Sequence, residues 1–242
     1  MRRKSLETLS KEGKKMIKIE RKDTIKAQLA ITDLHNARES GKTYNTENVN
    51  AALIEAFHGK CYICENKAAT SYQIEHLIPY RGNQNLKYDW QNLFWSCAHC
   101  NNIKLDKYEP ILDCTKENVE KLIAFRKKGY FGTDEILEFI PLVEDNEAVE
   151  NTIALLEDAY YGTTPQKKFE ARVIRKELRR ELSEFKEYVR EYQEAENEEE
   201  KEDAEILIKK ELKDSSAFTA FKRWLIWDNG IYSELEKYIP EN

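Results

Sequence analysis

The chain has 242 residues, 40% of them hydrophobic and 35% charged, enough for one sizeable core with a small satellite. No apolar run approaches the roughly 18 residues of a spanning helix, and the basic start Met1-Arg2-Arg3-Lys4 has no apolar stretch after it, so neither membrane nor signal peptide is expected, and the cytoplasm is the expected location. The formal net charge of −6 does not exclude nucleic acid: residues 1–59 carry 12 Lys+Arg against 8 Asp+Glu, residues 60–130 carry 11 against 8, and residues 131–242 carry 16 against 29, so the acidic excess is confined to the C-terminal part.

Residues 1–15 read as a polar, lysine-rich arm, and Met16 to Glu20 alternates as a short strand would. From Asp23 to Arg38, Ile25, Leu29, Ile31 and Leu34 recur at helical spacing, with Gly41 as the stop. Thr46 caps a second predicted helix from Glu47 to His58, with Val49, Leu53, Ile54 and Phe57 on one face and Gly59 after it. Tyr72 to Ile78 alternates as a strand ended by Pro79, residues 80–89 are loop-like, Trp90 to Trp95 returns as a second strand, and Ala98 to Tyr108 reads as a helix.

Beyond residue 131 the pattern is helical. Glu147 to Tyr160 forms one helix broken by Gly162, and Thr164-Pro165 opens a long one carrying Ile174, Leu178, Leu182, Phe185, Val189 and Tyr192 as a single stripe. Glu194 to Asp203 is an acidic run, read as a solvated helix surface or connector. A last amphipathic segment opens at Ser215-Ser216 and carries Phe218, Phe221, Trp224, Leu225 and Trp227, for packing on the long helix or docking to another protein.

The chemistry concentrates between the helices. Cys61 and Cys64 pair with Cys97 and Cys100 in Cys-x-x-Cys spacing, which suits tetrahedral Zn²⁺ and argues against a disulfide framework, leaving Cys114 as a plain thiol. Inside that bracket lie Glu75-His76-Leu77-Ile78-Pro79 and Asn92-Leu93, and the second pair runs on as Cys100-Asn101-Asn102-Ile103-Lys104. A neutral imidazole is a competent base near pH 7, and a carboxylate and an amide oxygen suit a hard cation such as Mg²⁺. Neighbours in a strand face opposite ways, so a kink or loop is expected between Glu75 and His76.

This ordered set over residues 60–105 resembles the HNH endonucleases of the ββα-metal superfamily, four-cysteine zinc subtype. Glu stands at 75 where the family more often has Asp, and Asn rather than His at 101. The resemblance implies an α+β, mostly α protein: a ββα-metal (HNH) module with structural zinc, flanked by N-terminal helices and a helical C-terminal region. The expected divisions are 1–45 for the N-terminal arm and helix, 46–130 for the nuclease domain and 131–242 for the helical C-terminal domain.

It implies His76 as general base, Asn92 as the brace of the loop orienting it, Cys61, Cys64, Cys97 and Cys100 on Zn²⁺, and Glu75 and Asn101 on a catalytic Mg²⁺ or Mn²⁺. The implied reaction is hydrolysis of phosphodiester bonds in nucleic acid, DNA first, leaving 5′-phosphate and 3′-hydroxyl ends. Arg81, His99 and Lys104 are the expected nucleic-acid contacts. In size and layout the chain looks like the HNH effector nucleases of bacterial antiphage systems of Septu type, which implies an ABC-like ATPase partner. Trp90, Phe94 and Trp95 read as packing behind the strand pair, with a base-stacking platform as the alternative, and a catalytically inactive zinc module that binds nucleic acid or protein stays open as a second reading of the whole.

Overall fold

The computed structural model describes residues 19–129 and 135–240; the expected N-terminal arm, and residues 16–18 of the expected first strand, lie outside them. Ile19 is buried and donates its N–H to Cys114 O at 2.8 Å, but neither it nor Glu20 belongs to a strand. Two residues on, the Arg21 guanidinium donates to Trp90 O at 2.9 Å and lies 4.8 Å from the Phe94 ring centroid. A cation over aromatic faces is attracted to their negative quadrupole, and this one ties the N-terminal segment to the module behind it.

Helix α1 (Ile25–Ser40) starts where Thr24 accepts from Ala27 N and stops at Gly41, whose φ of +66° suits glycine. Its inward face differs from the expected one. Ala27, Ala30, Leu34 and Ala37 are buried, while Ile25, Leu29 and Ile31 are exposed. Small residues let α1 pack closely on α2 (Glu47–Ala56), which Thr46 caps and whose Val49 and Leu53, with Phe57 just beyond it, reach the core as expected; Ile54 is exposed.

Strand β1 (Tyr72–His76) pairs antiparallel with β2 (Leu93–Cys97) in the register Tyr72↔Cys97 to His76↔Leu93. Between them the expected loop contains a short helix, α3 (Gln84–Lys87), capped by Asn83. The second strand begins three residues later than expected because Asp89 caps a 3₁₀ turn over Trp90–Asn92. Helix α4 (Ala98–Lys104) is shorter than expected, ended by Leu105 at φ +46°. The strand, strand and helix order of a ββα unit is therefore present.

A second antiparallel sheet, absent from the sequence reading, follows the one-turn helix α5 (Val119–Leu122): β3 (Ile123–Lys128) pairs with β4 (Ile136–Pro141). The remainder is helical, as expected. Helix α6 (Glu147–Tyr161) ends at Gly162, and α7 (Pro165–Glu194) buries the whole stripe from Ile174 to Tyr192. The acidic run opens α8 (Glu198–Glu211) with Glu198, Glu199 and Glu200 in its first turn, where the partial positive charge of a helix start favours carboxylates. Helix α9 (Thr219–Asp228) begins after Phe218 and buries Phe221 and Trp224. This is packing, the plainer of its two readings.

Among the described residues the buried side chains form three clusters. One joins α1 and α2 to the first sheet. The largest surrounds the four cysteines and continues through β3, β4, α6, α7 and α9. The third lies between α7, α8 and the C-terminal turns. Trp90, Phe94 and Trp95 are buried in the first of these, so they pack rather than present a stacking platform.

Candidate metal centre and catalytic site

The two cysteine pairs reach their places by different local routes. Between Cys61 and Cys64 the chain makes a tight turn in which Glu65 N donates to Cys61 O at 2.9 Å and Cys61 N to Asn66 O at 3.0 Å. Cys97 ends β2 as the cap residue of α4, so Cys100 falls within the first helical turn. All four Sγ atoms lie within 4.8 Å of one another and all four residues are buried. A tetrahedron with Zn–S bonds near 2.3 Å has sulfur atoms roughly 3.8 Å apart, and Cys64 Sγ lies 3.9 Å from Cys97 Sγ. The donor set fits zinc. His99, between the second pair, is not a ligand: its Nδ1 pairs with Glu170 Oε2 at 2.7 Å and its Nε2 bonds Ala159 O at 2.8 Å.

Strand β1 stays regular through His76, so the kink expected between Glu75 and His76 is not there, and the chain bends only after the dipeptide, at Leu77 and Ile78. Glu75 and His76 accordingly meet different surroundings. His76 Nε2 lies 3.0 Å from Lys87 O, and its ring sits between Tyr44 (centroids 4.9 Å apart) and Tyr80 (4.8 Å). A carbonyl oxygen only accepts, so Nε2 carries the proton and Nδ1 keeps the lone pair. Burial pushes the imidazole pKa below its ordinary value, outweighing the opposing effect of the Lys87 carbonyl, so the ring is neutral at pH 7.

Asn92 stitches the loop beside that ring. Its Oδ1 accepts from Ile78 N at 2.8 Å, and its Nδ2 donates to Ile78 O at 2.8 Å and Leu86 O at 3.0 Å. One buried amide thus satisfies three backbone groups on both sides of the loop.

Glu75 is 5% exposed and faces α4. Its Oε1 accepts from Lys104 Nζ at 2.6 Å and its Oε2 from Tyr62 OH at 2.7 Å. Burial pushes its pKa up, and Lys104 and Tyr62 work against that shift. Asn101, one turn before Lys104, instead donates its Nδ2 to Gln73 Oε1 at 2.6 Å. Carboxylate and amide are oxygen donors of the kind a hard cation takes, yet the carboxylate is already shared with an ammonium.

Two of the expected nucleic-acid contacts are corrected. Lys104 is 0% exposed and spent on Glu75, and His99 is turned into the C-terminal helices; neither side chain is open to a phosphate. Arg81 is on the surface, paired with Glu109 at 2.8 Å. Sequence reasoning missed Tyr44, Tyr62 and Tyr80. Tyr62 and Tyr80 lie next to motif residues and were legible as neighbours, whereas Tyr44 arrives from outside the motif altogether.

Comparison with known proteins agrees with this geometry. Residues 61–107 match the family model for HNH endonucleases. The chain carries an HNH domain. It is also similar to the Septu protein PtuB of Bacillus thuringiensis, 35% identical over 98 residues that make up 37% of each chain, and to the Septu protein PtuB of Bacillus mycoides (strain KBAB4), 36% identical over 85 residues, 29% of each. The matched stretch thus spans little more than a third of the first relative and less than a third of the second. No solved structure matches the chain significantly.

Proposed function

We propose that this chain is a metal-dependent endonuclease that hydrolyses phosphodiester bonds of nucleic acid, DNA in the first place, as a cytoplasmic effector of antiphage defence working with an ABC-like ATPase. The HNH match and the likeness to Septu proteins support the family and setting. Among the described residues no helix is long and apolar enough to cross a membrane.

The observation that carries the reaction is the fixed tautomer of His76. Its Nδ1 is the lone-pair nitrogen of a neutral ring, clamped by Tyr44, Tyr80 and the Lys87 carbonyl, and it takes a proton from the attacking water. Asn92 positions it by holding the loop that carries Lys87. Glu75 and Asn101 would hold the divalent ion, which supplies charge neutralisation at the phosphate and the departing oxygen. The four thiolates would hold zinc and brace the unit from behind.

The test is plasmid nicking by the purified full chain in Mg²⁺ or Mn²⁺, alone and with an ABC-like ATPase of the kind proposed as its partner, against His76→Ala. Wild type should nick and EDTA stop it, while the variant should lose on the order of 10²–10⁴-fold in rate. Equal nicking by both, or none by either with the ATPase present, overturns the enzyme. The second result would favour a catalytically inactive zinc module, a reading that the sealed carboxylate of Glu75 keeps in view.

A further inference from the structure

A lysine with no solvent exposure is costly unless its charge is matched, and among the described residues Lys104 is matched by Glu75. Its Nζ lies 2.6 Å from Glu75 Oε1 and 2.9 Å from His76 O. Tyr62 OH closes the remaining carboxylate oxygen at 2.7 Å. Strand residues 73 and 75 share a face, and α4 lies across it with Asn101 on Gln73 and Lys104 on Glu75. The helix that offers an amide oxygen to a cation therefore delivers, one turn later, an ammonium onto the carboxylate that the cation would use.

We propose that Lys104 is a positioning residue that holds the seat of the divalent ion: its ammonium neutralises Glu75, and an ion binds there by displacing it rather than by joining it. The inference rests on the reading of Glu75 and Asn101 as the ion-holding residues. A divalent ion placed beside an ammonium on one buried carboxylate meets like-charge repulsion in a medium of low dielectric. Removal of Lys104 without a replacement leaves that carboxylate buried and unpaired. Exchange of one cation for the other avoids both costs. The position favours exchange, because Lys104 is the last residue of α4 and is followed by Leu105, at φ +46° and exposed, so the side chain leaves from a helix end rather than a helix interior.

The consequence is a weak ion site in the wild-type protein, with its Glu-His dipeptide held in place until an ion arrives. Zinc-loaded full-length protein, freed of other divalent ions, is titrated with Mn²⁺, and the free ion is read by electron paramagnetic resonance. Lys104→Gln should bind Mn²⁺ roughly tenfold or more tightly than wild type, and Glu75→Gln added to it should abolish the gain. A Lys104→Gln protein that keeps its zinc and helix signal yet binds Mn²⁺ no better than wild type overturns the proposal.

Should that variant fail to fold, wild type decides. Acetylation of Lys104, followed by peptide mass spectrometry, should rise several-fold at saturating Mn²⁺, and unchanged labelling overturns the exchange. The nuclease reading fails separately. Plasmid nicking with no change in Mn²⁺ affinity removes the exchange alone, whereas tightened Mn²⁺ binding without cleavage removes the nuclease alone.

Discussion

Glu75 and His76 are adjacent in sequence and opposite in circumstance. Strand alternation sends one onto α4 and the other between Tyr44 and Tyr80, so one dipeptide supplies a paired carboxylate and a neutral base. The imidazole has a pH signature. Its folded pKa lies below the ordinary 6.5 because burial disfavours the charged ring. Above 6.5 the folded and unfolded chains both leave it neutral and its contribution to stability is complete. As the pH falls from 6.5 through the folded value, the unfolded chain takes up a proton that the folded chain refuses, and stability drops. The same shift keeps the base neutral in mildly acidic solution. The acid limb of kcat/KM should therefore have its midpoint below pH 6.5, and urea titrations should find wild type losing stability on acidification more steeply than His76→Gln. A midpoint at or above 6.5 contradicts the burial argument.

Helix α9 illustrates how an element read as aromatic depends equally on charge. Phe221 and Trp224 pack on β3 and β4, where Phe221 meets Phe125 edge-on at 5.4 Å. Between those rings, Lys222 and Arg223 are both fully buried. Lys222 Nζ pairs with Glu181 at 2.8 Å, and Arg223 Nη1 with Glu120 Oε1 at 2.9 Å, while its Nε donates to Leu212 O at 2.9 Å. Burial pushes the Glu120 pKa up to about 7 even though Arg223 pulls it down. Arg223→Leu should thus strand a buried carboxylate and cost about 3–5 kcal/mol in urea unfolding at pH 8. The penalty should shrink as the pH falls towards about 7, because without the pull of Arg223 Glu120 takes up its proton at a higher pH than in wild type, and Glu120→Gln should restore part of it. A loss independent of pH would assign the effect to packing.

The four-cysteine module and the C-terminal helices share one buried cluster, and hydrogen bonds to backbone groups reinforce it. Tyr160 OH donates to Cys64 O at 2.8 Å, Glu65 Oε2 accepts from Ala220 N at 2.9 Å, and His99 reaches Ala159 O. Both cysteine turns are therefore latched by helices that follow them in the chain. Since metal binding at such sites is coupled to folding, stripping zinc with a chelator should lower the thermal midpoint of the whole chain. The measurement is circular dichroism at 222 nm alongside tryptophan fluorescence in a Trp90→Phe, Trp95→Phe background, in which Trp224 and Trp227 alone remain. Loss of the metal with the melting of the helical half unchanged would show that the two parts fold independently.

The sequence by itself determined the features whose physics is local. Cysteine spacing named the four buried sulfurs, the caps at Thr46 and Thr164 and the stops at Gly41 and Gly162 set helix ends, and the period of α7 marked the stripe that is buried. Composition misled where size rather than hydrophobicity selects the contact, as on the alanine face of α1, and the β3–β4 pair was missed because it straddles the expected boundary, β3 at the end of the nuclease part and β4 in the part read as helical. Tertiary structure alone decided which charges are spent. Lys104 meets Glu75 across 29 residues and Arg223 meets Glu120 across 103. A lysine or arginine in a sequence looks the same whether it faces water or a buried carboxylate, because its cost and its partner are set by the packing around it and not by its neighbours in the chain.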